Sequence, residues 1–268
     1  MYKFELKDFP TPAFTIKHVD LSLSFFDTFV EGSEVLTIQA PEAPSNSIIL
    51  DAQDLAITGA AFSTTEAFSE SKPLTFLYNK KENKLELFFP TPIGNNSTFY
   101  IKIDATCHPT DNILEGLYFD IAPNGAPPQI ISQCQQWGFQ RIMPFIDDCR
   151  AKCTWRTTIE ASAAYTHLIS NGDVCKETNP NGIPEPLADK PDRKRITYVN
   201  NIPMPPYLFI AAVGTWEEVS DFVILPNGRK VKLEYLVPPG KSNGAKLPLE
   251  ILKAAVVWQA KRLNYEYL

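Results

Sequence analysis

Apolar and polar residues alternate with a period of two through the first hundred positions. Phe14, Ile16 and His18 fall on one side of Thr15 and Lys17, and Leu36 and Ile38 alternate with Val35, Thr37 and Gln39. Side chains of a strand point to opposite faces in turn, so this pattern predicts strands with one buried face. Further strands are predicted at 47–50, 55–61, 74–78, 85–89 and 99–103, each bounded by Pro, Gly, Asn or Asp. Short strands at such spacing imply a sandwich or saddle-shaped antiparallel sheet, and no long helical period competes with them.

Prolines gather at 90–92, 123–128, 180–191 and 203–206. They lack an N–H and fix φ, so these stretches read as ordered loops between strands. After Gly214 the texture changes. An apolar stretch at 222–225 runs into Pro226, Asn227 and Gly228, and then Val231, Leu233, Tyr235 and Val237 alternate with Lys232, Glu234 and Leu236, which predicts a hairpin. The segment 247–265 is the one strong helix pattern, with Pro248 tolerated in its first turn and Leu249, Leu252, Val256 and Leu263 spaced for one face. A hairpin and helix opening after a strand-rich region predict two domains, 1–215 and 216–268, the second being the beginning of a larger one.

With 268 residues, 44% hydrophobic and 21% charged, the chain has enough apolar matter for a sizeable core. Lys3, Glu5, Lys7 and Asp8 interrupt the stretch a secretory signal would need, and no run reaches membrane-spanning length. The expectation is a soluble cytoplasmic protein with no membrane partner. A net charge of −6 with one short basic run, Arg193 to Arg195, argues against nucleic acid, whose binders release counterions with clustered cations.

Cys107, Cys134, Cys149, Cys153 and Cys175 are an odd, scattered set, expected to be reduced. Cys149 and Cys153 have the spacing to share one side of a helical turn, yet no Cys-x-x-Cys pair or neighbouring His completes a tetrahedral metal site. The three histidines, His18, His108 and His167, likewise lack a second ligand at helix-face spacing. No catalytic and no metal-ligating residue is predicted in this chain.

The region 108–150 departs from core-strand patterning. In ISQCQQWGFQRI, three carboxamides crowd around Cys134 and Trp137 where a buried strand would alternate apolar residues. Gln133 and Gln135 would share one strand face. Two carboxamides side by side offer donors and acceptors to a peptide backbone, or else satisfy local backbone groups.

LEGLY (114–118), SQCQxxGFQRI (132–142), ISNGD (169–173), PPYLFIAAVGTW (205–216) and LPNGRKVKLEYLV (225–237) stand in the order of landmarks in aminopeptidase N-like zinc metallopeptidases, the gluzincin aminopeptidase family. The chain resembles the amino-terminal portion of such an enzyme, closely over 108–268. The resemblance implies a saddle-shaped β-domain followed by the opening of a thermolysin-like α/β catalytic domain, with which the β-domain makes contact. It also implies an activity: release of N-terminal amino acids from peptides by zinc-activated water. The family's zinc and catalytic motifs, G-x-M-E-N and H-E-x-x-H, do not occur here, so the resemblance assigns this portion substrate binding alone and predicts that by itself it is inactive and zinc-free.

The family's β-domain contributes a Gln-x-Glu pair that touches substrate, the Glu meeting the free α-ammonium. Here the pair is Gln133 and Gln135. The resemblance makes both substrate-binding residues, and Gln-x-Gln is similar to the aminopeptidase B and leukotriene A4 hydrolase branch. An amide accepts a hydrogen bond from an ammonium but supplies no opposing charge. That difference leaves an alternative, a non-catalytic relative keeping a peptide-binding or scaffold surface. A free-standing carbohydrate-binding sandwich is a weaker reading, because it gives the helix at 247–265 no role.

Overall fold

The computed structural model describes Glu5 and residues 11–266. The charged start at Lys3, Lys7 and Asp8 lies outside the described residues. Two compact units emerge, one of Met1–Ile121 with Pro128–Val213, the other of Ala122–Pro127 with Gly214–Leu268. No described helix is long and apolar enough to cross a membrane.

Strands in the first half of the larger unit are β1 (Thr15–Phe25), β2 (Val30–Gln39), β3 (Ser45–Asp51), β4 (Ala56–Ser63), β5 (Lys72–Pro73), β6 (Thr75–Asn79), β7 (Lys84–Ile93) and β8 (Thr98–Cys107). They are followed by β9 (Gly116–Asp120), β10 (Gln129–Gln133), β11 (Cys153–Ser162), β12 (His167–Ser170), β13 (Asp173–Val174), β14 (Glu185–Pro186), β15 (Arg193–Met204) and β16 (Ala211–Gly214). Each strand expected at 47–103 is present. Among the described residues they form a nine-stranded sheet in the order β13-β15-β11-β1-β2-β8-β4-β5, with β14 on β15. A four-stranded sheet β12-β16-β10-β9 and a three-stranded sheet β3-β7-β6 complete the unit.

Two features escape the alternation rule. A bulge between Ile16 and His18 shifts the register of β1 against β2, so the buried side passes from Phe14 and Ile16 to Val19, Leu21, Leu23 and Phe25, and His18 is half-buried. β1 also pairs β11 in parallel, His18 opposite Thr154. Every other pairing described between strands is antiparallel, so the antiparallel expectation holds except at this seam, which joins chain segments more than a hundred residues apart.

The core of this unit is aromatic where the site segment crosses it. Phe139, Phe145, Trp155 and Phe209 meet ring to ring at 5.0–5.4 Å, and the Trp155 indole N–H donates to the Met204 carbonyl at 3.0 Å. All five cysteines are free. No helical turn unites Cys149 and Cys153: the first is exposed in a turn and the second begins β11, buried.

In the smaller unit, β17 (Glu217–Ile224) and β18 (Lys230–Val237) form the expected hairpin, Ile224 opposite Lys230. Gly228, at φ +86°, closes the turn and donates its N–H to the Leu225 carbonyl at 2.9 Å. The helix α1 (Lys246–Leu263) places Leu249, Leu252 and Val256 against Val223 and Leu233 of the hairpin. Leu263, expected on that face, is 67% exposed; Ala260 is buried in the last turn instead. Asn264 ends the helix in a left-handed conformation.

Candidate functional site

The carboxamide segment leaves the four-stranded sheet at the end of β10. Ile130 and Ile131 pair Val213 and Ala212 of β16, and Gln133 stands opposite Gly116 of β9. Ser132, buried, accepts the Ala211 N–H on its hydroxyl at 2.8 Å. The strand stops at Gln133 and a turn begins at Gln135, so the two glutamines do not share a strand face. Pairing with β9 and β16 covers Gln129 to Gln133 only, and the chain then folds back under the demands of Gly138 and Phe139.

Much of the SQCQxxGFQRI motif is structural. A Cβ on Gly138 would lie 2.3 Å from the Gln133 carbonyl and 2.8 Å from the Cys134 Cα, so only glycine allows the turn to close there. Phe139 is fully buried in the aromatic cluster. Arg141 is a clamp, its Nε donating to Glu115 at 2.8 Å and Nη1 to Asp54 at 2.6 Å. It also packs on Gly116, where a Cβ would meet the Arg141 Cβ at 2.7 Å. Burial of Cys134 pushes its thiol far above the ordinary range, which makes it an inert packing residue.

What remains of the motif for recognition is Gln133, Gln135 and their neighbours. Gln135 is exposed at the wall of a cleft of about 620 Å³ whose lining also includes Gln136, Trp137, Cys149, Arg150 and Tyr207. The Gln135–Gln136 peptide is cis. Gln133 is half-buried and is not among the lining residues; its amide donates to the Gln135 carbonyl at 3.3 Å. The structure therefore puts Gln135 on the cleft and Gln133 beneath it as a brace.

Sequence reasoning did not select Trp137, Cys149, Arg150 or Tyr207 for this site. Arg150 reaches back onto Asp148 with Nε and Nη2 at 2.8 and 2.6 Å, and this contact holds the Asp148 carboxyl below its usual range. Tyr207 sits in a 3-10 turn started by Pro206. Only proximity in the folded chain brings residues 135–137, 148–150 and 207 together, and no local pattern encodes that.

A second concavity of about 690 Å³ shares Trp137 and Asp148 with the first and is lined further by Ser47, Asp51, Lys84 and Asp147. Asp51 is engaged by Lys84. The cleft at Gln135 thus offers an exposed carboxamide, a Tyr hydroxyl, an Arg already committed to a carboxylate, and the Trp137 ring. Such groups suit hydrogen bonding and stacking with a polar, backbone-bearing ligand.

The histidines lie elsewhere. His18 on β1 has Nδ1 2.7 Å from the Thr154 hydroxyl, and burial lowers its pKa. His108 is exposed just after β8, and His167 begins β12. No two histidines share an element.

Comparison with known proteins gives the geometry a context. The peptidase M1 N-terminal domain family matches residues 14–208. An aminopeptidase N of Haemophilus influenzae is 27% identical over 97% of this chain and 27% of its own length. A leukotriene A-4 hydrolase of Xenopus laevis is 25% identical over 76% of this chain and 32% of its own. In fold, the chain superposes on the crystal structure of Legionella pneumophila aminopeptidase A in complex with aspartic acid with a TM-score of 0.80 at 21% identity, covering 98% of this chain and 29% of that one. The chain spans about a third or less of the length of these relatives.

Proposed function

The chain belongs to the peptidase M1 N-terminal domain family, and on that premise we propose that it supplies one wall of the substrate cleft of a zinc-dependent aminopeptidase that removes N-terminal residues from peptides. The observation that carries the reading is Gln135: within a motif much of which is consumed by packing, its side chain stands exposed on a cleft.

In this reading the Gln135 carboxamide accepts a hydrogen bond from the substrate's α-ammonium. Gln133 fixes the turn by bonding the Gln135 carbonyl, so it acts on substrate through the backbone it holds. Tyr207 and Trp137 bound the cleft and limit the solvent that competes for those bonds. Zinc, when bound in such enzymes, polarises the scissile carbonyl and activates a water. Its ligands would come from a catalytic domain joined to this chain, because here the histidines are dispersed over separate elements and α1 carries none.

The test is made on the protein in which this chain is joined to its catalytic domain. Chelator-sensitive release of N-terminal residues from aminoacyl arylamides, with Gln135→Ala raising KM at unchanged melting temperature, supports the proposal. An amide where the family places a carboxylate motivates a second reading, a non-catalytic peptide-binding relative. Peptide binding without hydrolysis across a broad substrate panel would select it.

A further inference from the structure

Besides the Arg141 clamp and the burial of Phe139, the segment that carries Gln135 is held to the chain around β3 by a group of backbone and carboxyl hydrogen bonds. Backbone pairing joins Asp51 to Phe145, with N–H···O distances of 2.6 and 2.9 Å in the two directions, and the Gln53 N–H donates to the Gln140 carbonyl at 2.8 Å. Asp147 ties these together. Its N–H donates to Asp51 Oδ2 at 3.0 Å, and its own Oδ2 accepts the Gln140 N–H at 3.1 Å. Beyond Asp147, residues 148–150 form part of the cleft lining, and before Gln140 the lining includes residues 135–137. The Asp147 connection therefore lies between the two stretches of this segment that line the cleft.

Asp147 is 5% exposed, and its Oδ1 is buried with no hydrogen-bond partner among the described residues. The cations nearby in sequence or structure are engaged elsewhere: Lys84 by Asp51, Arg141 by Glu115 and Asp54, and Arg150 by Asp148. The ionisable groups that face Asp147 are the carboxyls of Asp51 and Glu115 and the buried Cys134 thiol. All of them add negative charge or none. A buried carboxylate with one orphan oxygen and no cation is costly in its ionised form.

We propose that Asp147 is a positioning residue that seats the Gln135-bearing segment, and that the seat is firmest when Asp147 is protonated. Burial, reinforced by Asp51 and Glu115 and opposed by the N–H groups of Gln140 and Phe139, pushes its carboxyl up to about 7. The seated state thus binds a proton more tightly than an opened one, in which the carboxyl returns to its ordinary value of about 3.9. Seating is strongest below that value, weakens as pH rises, and levels off above about 7. The consequence for peptide binding rests on the role proposed for Gln135; the seat itself does not.

Hydrogen exchange of the 268-residue chain tests it, reading amides of residues 134–147 after correction for intrinsic exchange. The protection of these amides should fall by up to about tenfold per pH unit between about pH 4 and about pH 7 and be level above. Asp147→Asn should abolish the slope. A level wild-type profile across that window, or a slope that survives in Asp147→Asn, overturns the proposal. If Asp147→Asn does not fold, side-chain carbon NMR of Asp147 in the wild-type chain decides: a midpoint near 7 supports the proposal and one near 4 refutes it. None of these readings involves peptide hydrolysis, so failure of the seat and failure of the aminopeptidase reading are separable.

Discussion

Arg141 donates from Nε to Glu115 at 2.8 Å and from Nη1 to Asp54 at 2.6 Å, while its side chain is only 14% exposed. One guanidinium thereby joins the loop before β9, the loop after β3 and the turn after the Gln135 segment. The planar fork presents Nε and Nη1 to the two carboxylates from fixed, separate positions, a geometry that the single ammonium of Lys does not reproduce.

Arg141→Lys and Arg141→Gln should each lose at least one charged hydrogen bond from a mostly buried site, costing about 2 kcal/mol. For a chain of this size that lowers the melting temperature by roughly 4–8 °C. Calorimetry on both variants checks it, and a Lys variant as stable as wild type would show that the clamp is not bidentate in effect.

Two glycines should respond differently to alanine. At Gly138 the new methyl group meets backbone atoms at 2.3 and 2.8 Å, which nothing flexible can relieve, so about 3 kcal/mol or more is lost. At Gly228 nothing lies within 4 Å of the added carbon and only the positive φ resists, a cost of about 1 kcal/mol. Urea unfolding midpoints rank the pair, and equal losses would contradict the structure at Gly138.

Glu34 lies on the buried face of β2, with both carboxylate oxygens buried and unpartnered among the described residues. Burial raises its pKa well above the ordinary carboxylate value. The folded chain then holds this proton more tightly than the unfolded chain. Its contribution is complete below the unfolded value of about 4.3 and is lost as pH rises from there toward the folded one. Glu34→Gln should flatten the decline of melting temperature between pH 4.5 and 8, and Glu34→Leu should be the more stable protein at pH 8. Parallel pH profiles for wild type and Glu34→Gln would mean that water or a rearrangement satisfies the carboxylate.

With the catalytic domain joined, Gln135→Glu should lower KM for peptides bearing a free amino terminus by roughly fivefold, the worth of about 1 kcal/mol for a charge-assisted bond over a neutral one. Peptides with an acetylated terminus should gain nothing. Steady-state kinetics on the two substrate classes give the comparison, and an equal effect on both would detach Gln135 from ammonium recognition.

The strands, the hairpin around Gly228 and the helix near 246–263 were legible because each is a local periodicity that burial on one face imposes on the sequence. The landmark motifs were legible as a family resemblance, and the match to residues 14–208 agrees with it. What periodicity could not show is where a strand ends for reasons of packing. The pattern ran Gln133 and Gln135 along one face, whereas contact of Gly138 with Gln133 and burial of Phe139 turn the chain before Gln135.

The amino-acid order by itself determined the β-rich class, the hairpin-and-helix ending and the carboxamide segment as a place of interest. Only tertiary structure decided that Gln135 faces a cleft while Gln133 braces it, that Tyr207 and Arg150 join that cleft, that β1 and β11 run parallel, and that Glu34 and Asp147 are buried carboxyls with no cation paired to them among the described residues. Periodicity reports the one face on which a residue meets the core, a property of near neighbours along the chain. Clefts, seams and orphaned charges depend on which distant segments come together, and that is set by the summed packing of the whole unit.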